Sequence, residues 1–183
     1  MNMTKTMIRF YTVADFKEEE IWLRSEHKSG WRLIKMTPPC FYLFEECTPE
    51  DMIYRLDYKN NTQTEEYMQM MQDFGWEYAG KFLGWIYFRK PAEAISDKNE
   101  GEIYSNNESR ITMLQSVVRT RMLPLAIIFC ACVIPNAARA FDSRFSAAFT
   151  VFWAIILCIY IWLLTYCGLK LKKMKNEINQ DHR

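Results

Sequence analysis

Two long apolar stretches towards the C-terminal end most limit how this chain can fold. Residues 145–169 are about 25 residues without a charge, enough at 1.5 Å per helical residue to cross a hydrocarbon core of about 30 Å. A backbone in lipid must satisfy its own hydrogen bonds, so this stretch should be helical. With residues 122–138 as the first helix and 139–144 as the connecting loop, we predict a two-helix transmembrane hairpin in the cell membrane.

Basic residues on both flanks of the hairpin predict its orientation. Positive charge in short segments marks the cytoplasmic side of a membrane. Both termini are therefore expected in the cytoplasm, with residues 139–144 outside and 170–183 as a basic tail, although the loop itself holds Arg139 and Arg144. The residues predicted to lie at the membrane interface are Arg119, Arg121, Lys170, Lys172 and Lys173.

The polar part of the chain carries an internal repeat with a period of about 45 residues. At a constant offset and without gaps, it relates a first repeat at about residues 7–46 to a second at about residues 52–90. A period of this size is typical of one duplicated supersecondary unit. The matched residues are Met7-Ile8 with Met52-Ile53, Gly30-Trp31 with Gly75-Trp76, and Tyr42 with Tyr87.

Each repeat is predicted to be a strand, a helix and two further strands. Residues 7–13 read as a strand, and Asp15 with Glu18, like Thr62 with Glu65, forms a capping-box pattern that starts a helix. Gly30 and Gly75 fit the position after a helix, where positive φ is free of steric cost. We therefore predict an α+β domain over residues 1–91, a duplicated βαββ unit whose antiparallel sheet has helices on one face.

Composition divides the chain after this domain. Residues 92–109 are acidic and polar and are predicted to be a flexible linker. Residues 110–121 are predicted to form a juxtamembrane helix that leads into the first transmembrane helix.

Aromatic residues at equivalent repeat positions are the candidate binding residues. One interpretation is core packing, because so small a domain needs large side chains to bury enough area. The other is a ligand groove between the two halves, with tyrosine hydroxyls as polar handles. The groove residues would be Trp31, Tyr42, Trp76 and Tyr87.

No motif for catalysis, a metal or a cofactor is apparent, so we expect a non-enzyme without a cofactor. Glu18, Glu19 and Glu20 are interpreted as a solvated first helical turn, and His27 as a cation that favours the helix C-terminus. Cys40 and Cys47 are the only cysteines outside the apolar stretches, too few for a zinc site. The net charge of +1 gives no indication of nucleic-acid binding.

The strand and helix motifs resemble the DUF2812 family, a bacterial family of unknown function. The resemblance rests on the opening Met-Ile-Arg-Phe-Tyr, on Ser-Gly-Trp31, on Tyr42-Leu-Phe44, on Tyr54-Arg-Leu-Asp57-Tyr and on Phe74-Gly-Trp76-Glu-Tyr78, and covers residues 7 to about 90. It implies a soluble domain followed by membrane helices, a gene neighbourhood with PadR-type regulators, and no known catalytic residues. The duplicated plan also resembles bacterial effector-binding domains at the level of fold.

These observations leave three hypotheses for function. The leading one is a membrane-anchored, non-enzymatic cytoplasmic domain that binds a small ligand or a protein partner in membrane-stress or drug sensing. The second is a structural adaptor subunit of a larger membrane complex. The third is an oligomeric channel or transport accessory. The expected partners are the lipid bilayer and a protein partner or a second copy of the chain, with no nucleic acid.

Overall fold

The computed structural model describes residues 3–59, 65–97, 100–104, 107–140 and 147–180. The chain divides into two compact units, Met1–Met113 and Leu114–Arg183. The elements of the first unit are β1 (Thr4–Ile8), α1 (Phe16–Lys28), β2 (Trp31–Thr37), β3 (Phe41–Glu46), β4 (Met52–Tyr58), α2 (Glu65–Asp73), β5 (Glu77–Phe82) and β6 (Trp85–Pro91).

The strands form two three-stranded antiparallel sheets, so the predicted α+β class is confirmed. Sheet A has the order β1-β3-β2, and sheet B has the order β4-β6-β5. In each sheet the last strand in sequence lies in the middle. Each sheet also has a register shift at the same place in its hairpin, after Leu33 in sheet A and after Tyr78 in sheet B.

The first strand departs from the ungapped repeat. Tyr42 lies opposite Met7 in sheet A, and Tyr87 lies opposite Leu56 in sheet B. The two tyrosines are 45 residues apart, whereas Met7 and Leu56 are 49 apart. The prediction of a strand over residues 7–13 is therefore wrong, because β1 ends at Ile8 and residues 9–15 form the connection to α1.

The helix ends follow the glycine prediction in full and the capping prediction in part. Gly30 and Gly75 have φ values of 85° and 79° and come after α1 and α2, as predicted. Asp15 is the N-cap residue of α1, as predicted, but its side chain makes no capping hydrogen bond and instead accepts hydrogen bonds from the N–H and Oγ1–H of Thr12. Thr62, in the second predicted capping box, lies outside the described residues.

The two helices cover different faces of their sheets. Trp22 of α1 packs edge-on against Tyr42 and Phe44 of sheet A. The same helix packs against β4 of sheet B. On α2, Tyr67 packs against Phe88, whose side chain points to the opposite face of sheet B from its neighbour Tyr87. Sheet B is thus covered on both faces.

Two long apolar helices follow the first unit's sheets in the chain. The first, Asn107–Arg139, merges the predicted juxtamembrane helix with the first predicted transmembrane helix, and the second is Ala147–Gln180. Both are long and apolar enough to cross a membrane. The first comprises α3 (Asn107–Val117), α4 (Leu123–Ile128) and α5 (Ile134–Ala140), joined by π-helical turns at Val118–Met122 and Phe129–Val133, and the second is α6.

The π-helical turns have a local cause. Pro124 and Pro135 follow them closely and have no N–H to donate to the preceding turn. A wider turn accommodates the carbonyl groups that are left over. Most of the predicted loop, residues 139–144, lies outside the described residues.

Candidate functional site: buried carboxylates on the first helix

One face of α1 carries acidic residues into the interior of the domain. Phe16, Leu23 and His27 are buried at helical spacing, and Glu19 and Glu20 fall on the same face. Glu19 is 5% exposed, whereas the apolar Ile21 is 69% exposed. The interpretation of these acids as a solvated helix start is wrong for Glu19 and Glu20, because the stripe that faces the sheets includes them.

Glu19 joins the two sheets through a pair of tyrosines. The hydroxyl groups of Tyr42, on β3, and Tyr87, on β6, each donate a hydrogen bond of 2.7 Å to Glu19 Oε1. Both tyrosines are buried and occupy equivalent positions in the middle strands of their sheets. Among the described residues, no cation forms an ion pair with Glu19.

Burial governs the electrostatics of this group. Burial raises the pKa of the Glu19 carboxyl, and the hydrogen bonds from Tyr87 and Tyr42 oppose that rise. Burial and the adjacent carboxylate both raise the pKa of Tyr42 and of Tyr87, so the two hydroxyls remain neutral donors. The arrangement is a buried carboxyl group that is held by hydrogen bonds and lacks a counter-charge.

Aromatic rings surround the Glu19 centre, by which we mean Glu19, Tyr42 and Tyr87. The half-buried Tyr11 has its ring 5.9 Å from that of Trp22 and 6.4 Å from that of Tyr42. The guanidinium group of Arg9 lies 4.9 Å from the Trp22 ring centre. The connection between β1 and α1 therefore supplies the wall of the centre that is nearest to solvent.

Glu20 satisfies the free edge of β4. Its Oε1 accepts the Leu56 N–H at 2.8 Å, and its Oε2 lies 3.4 Å from Arg55. Burial raises the pKa of the Glu20 carboxyl to about 8, although the charge of Arg55 and the backbone bond oppose the rise. Arg55 has a second partner in Glu102, at 3.1 Å.

His27 is a neutral, buried residue of the domain interior. Its Nδ1 lies 2.8 Å from the Tyr54 hydroxyl. Burial, with the nearby cations Arg89 and Arg32, lowers the pKa of His27 to about 4. The interpretation of His27 as a cation at the helix end is therefore wrong, because the histidine faces the strands rather than solvent.

A third buried carboxylate, Asp57, anchors the segment that follows sheet B. Asp57 accepts hydrogen bonds from the hydroxyls of Tyr67 and Tyr104. The Lys59 ammonium lies 3.8 Å from Asp57 and over the Tyr67 ring. Ile103 packs against the core cluster beneath α2, by which we mean Tyr67, Met71, Trp76, Ile86 and Phe88.

The predicted linker is therefore partly packed on the domain. Within it, residues 100–104 contact sheet B through Ile103 and Tyr104, and Ala92–Ala94 form a turn of 3-10 helix. Glu102 bridges Arg55 on β4 and Arg110 on α3, at 3.1 and 3.3 Å. Composition alone did not indicate these contacts, because two apolar or aromatic residues among many polar ones supply them.

The four predicted groove residues divide into two groups. The structure brings Tyr42 and Tyr87 together on Glu19. Trp76 lies instead in the core cluster with Tyr67, Met71, Ile86 and Phe88. Trp31 is half-buried, and the Lys5 ammonium lies 4.3 Å from its ring centre. Neither tryptophan takes part in the hydrogen bonds to Glu19.

The remaining predicted positions lie on the long helices. Arg119 and Arg121 fall in the first π-helical turn, and Lys170, Lys172 and Lys173 lie on α6. Within the part of the chain that the structure describes, no group of three or more His, Cys, Asp or Glu side chains could hold a metal ion.

The structure combines a small α+β domain of two sheets, with carboxylates in its interior, and two apolar helices that are long enough to cross a membrane. The chain belongs to the DUF2812 family, proteins of unknown function, whose model matches residues 15–128. That match extends beyond the two sheets into the first long helix. No curated protein and no solved structure matches the chain.

Proposed function

We propose that the protein is a membrane-anchored, non-enzymatic cytoplasmic domain that binds a small cationic ligand at the Glu19 centre, in membrane-stress or drug sensing. The observation that carries the proposal is the buried Glu19 carboxyl, whose hydrogen-bond partners are two tyrosines from different sheets. A buried carboxyl without a counter-charge is costly and is typical of functional sites.

A cationic ligand would supply the missing counter-charge. The ring centres of Trp22, Tyr42 and Tyr11 lie 4.9 to 6.4 Å from one another, and aromatic faces attract cations. The half-buried Tyr11 supports an entry route from the β1–α1 connection. The equivalent strand positions of Tyr42 and Tyr87 support the proposal that the two halves arose by duplication and share one site.

Binding of a lipophilic cation tests this function. The probe is tetraphenylphosphonium, added to the full-length protein in detergent and followed by tryptophan fluorescence, with triphenylphosphine oxide as the neutral analogue. We expect Glu19→Gln to weaken binding about tenfold or more, as loss of a buried charge pair does. The exposed neighbour in the same helix provides a matched control, Glu18→Gln, which should bind as the wild type does.

Either of two results contradicts the proposal. One is equal binding by the wild type and Glu19→Gln. The other is equal affinity for the cation and its neutral analogue.

The packed segment at residues 100–104 favours a second candidate function, a structural adaptor in a larger membrane complex. Glu102 forms ion pairs with Arg55 on β4 and with Arg110 at the start of the first long helix. A displacement of Arg110 would therefore change the contact that Glu102 makes with β4. Mild-detergent extracts of native membranes, run on native gels, should show a complex larger than the monomer. Glu102→Gln with Tyr104→Phe should reduce it, and a wild-type protein that runs as a monomer would exclude an adaptor role.

A further inference from the structure

Sheet A has one face that no element of the described chain covers. In sheet B, Ile86 and Phe88 point to the face that α2 covers, and both side chains are fully buried. The equivalent positions in sheet A, 45 residues earlier, are Phe41 and Leu43. Because α1 packs on the opposite side of β3, against Tyr42 and Phe44, this outer face of sheet A remains open.

The open face is apolar at one end. Ile8 on β1 lies directly opposite Phe41 on β3, so both side chains point outwards at neighbouring positions. Ile8 is 61% exposed and Phe41 is 38% exposed. Phe10, two residues beyond Ile8, is 79% exposed. We call Ile8, Phe10 and Phe41 the apolar end.

Among the described residues, the unpaired charge nearest to the apolar end on the open face is positive. The acidic residue of this face, Glu45, lies opposite Thr4 at the other end of the sheet. Lys5 and Arg32 pair with Glu26 and Glu45. Lys35 is exposed and forms no ion pair with a carboxylate among the described residues, whereas the guanidinium group of Arg9 lies over the Trp22 ring on the opposite face of the sheet. Lys35 lies opposite Leu43 on the open face, next to the row that contains Ile8 and Phe41.

We propose that the apolar end docks on an anionic lipid surface. Aromatic and aliphatic side chains enter the headgroup region, and exposed cations pair with anionic lipids at the same surface. The long apolar helices of the same chain would keep the domain close to a bilayer, which makes even weak docking effective. The docking surface lies on the face of β3 opposite Tyr42 and is independent of the Glu19 centre.

Charge complementarity selects lipid over a second copy of the chain. A symmetric dimer through this face would place the same patch on both sides of the interface. Lys35 of one copy would then approach Lys35 of the other, which opposes association. An anionic surface meets this lysine with the opposite charge.

Hydrogen exchange of the full-length protein in nanodiscs tests the proposal. One set of discs contains neutral lipid only, and the other contains about one-third anionic lipid. We expect amides of residues 3–11 and 35–43 to exchange more slowly in the anionic discs. Phe10→Ser and Lys35→Glu should each reduce that protection by about fivefold, the worth of one surface cation or one small apolar contact.

Two matched variants on other surfaces of the domain serve as controls. Phe74→Ser removes a ring that is similarly exposed, and Lys81→Glu reverses an exposed charge on β5. Both should keep the protection in anionic discs. Identical exchange in the two kinds of disc would overturn the proposal. So would protection that appears only with two copies per disc, because that outcome assigns the face to a dimer.

Discussion

At the scale of single residues, Glu20 should make the stability of the domain depend on pH. Its pKa of about 8 in the folded state means that folding favours the protonated form. Its stabilising contribution is complete at low pH and is lost as pH rises from the unfolded value, near 4.3, through 8. His27 acts in the opposite sense, because its pKa of about 4 costs stability only as pH falls below about 6.5.

Above pH 6.5 the effect of Glu20 should therefore dominate. We expect the Tm of the full-length protein in detergent to fall between pH 6.5 and pH 8.5. Glu20→Gln should flatten this dependence, since glutamine keeps an acceptor for the Leu56 N–H and cannot ionise. The exposed Glu18→Gln is the control and should keep the slope. A Glu20→Gln protein with the wild-type slope would show that another group titrates.

The two equivalent tryptophans of the repeat, Trp31 and Trp76, should differ in their contribution to stability. Trp76 is buried in the core cluster, so Trp76→Ala should lower the free energy of unfolding by about 3–5 kcal/mol. Trp31 is half-buried beneath Lys5, so Trp31→Ala should cost less than about 2 kcal/mol. Thermal unfolding followed by near-ultraviolet circular dichroism measures both. Equal losses would mean that the two tryptophans have the same surroundings.

Residue type predicted the backbone conformation at single positions better than it predicted which side chains are buried. Gly30 and Gly75 were predictable because a left-handed residue after a helix selects glycine locally. The burial of Glu19 and Glu20 was not, because the rule that acids favour a first helical turn says nothing of the strand that lies opposite. The spacing of Phe16, Glu19, Glu20, Leu23 and His27 contained the signal, but two carboxylates in the stripe hide it from a search for apolar residues.

At the scale of elements, the two sheets should respond differently to the same substitution. Phe88 and Phe41 lie on the central strands of sheets B and A, and both point away from α1. Phe88→Ala opens a cavity beneath α2 and should cost about 3–5 kcal/mol. Phe41→Ala removes a ring from the open face and should cost about 1 kcal/mol or less. A comparable drop in Tm for both would mean that the outer face of sheet A is covered in solution.

The sequence pattern predicted three strands in each repeat, but it could not divide them between two sheets. Strand alternation specifies which side chains share a face, and it does not specify which helix covers that face. The difference in length between the two halves illustrates the limit, because paired residues Met7 and Tyr42 are 35 positions apart and their counterparts Leu56 and Tyr87 are 31 apart. Residues 9–13 lie in the connection that brings Tyr11 to Trp22, yet in the ungapped repeat they appear as part of a strand.

At the scale of the whole molecule, the orientation of the hairpin stays a prediction. The basic residues at 170–175 predict that both termini lie in the cytoplasm. A reporter that is active only outside the cytoplasm should give no signal when fused after Arg183, and should give one when inserted at residues 139–144. A protein with Lys170, Lys172 and Lys173 changed to glutamine should show a weaker preference. Signal from the C-terminal fusion alone would reverse the topology.

The position of α1 between the two sheets has a consequence for synthesis on the ribosome. The helix leaves the exit tunnel well before β4 and β6, which supply Leu56 and Tyr87 for its two buried carboxyl groups. Until these strands have emerged, Glu19 lacks the Tyr87 hydroxyl and Glu20 lacks the Leu56 N–H. We therefore expect the first βαββ unit to be unstable by itself and to complete its packing only after both halves have been translated.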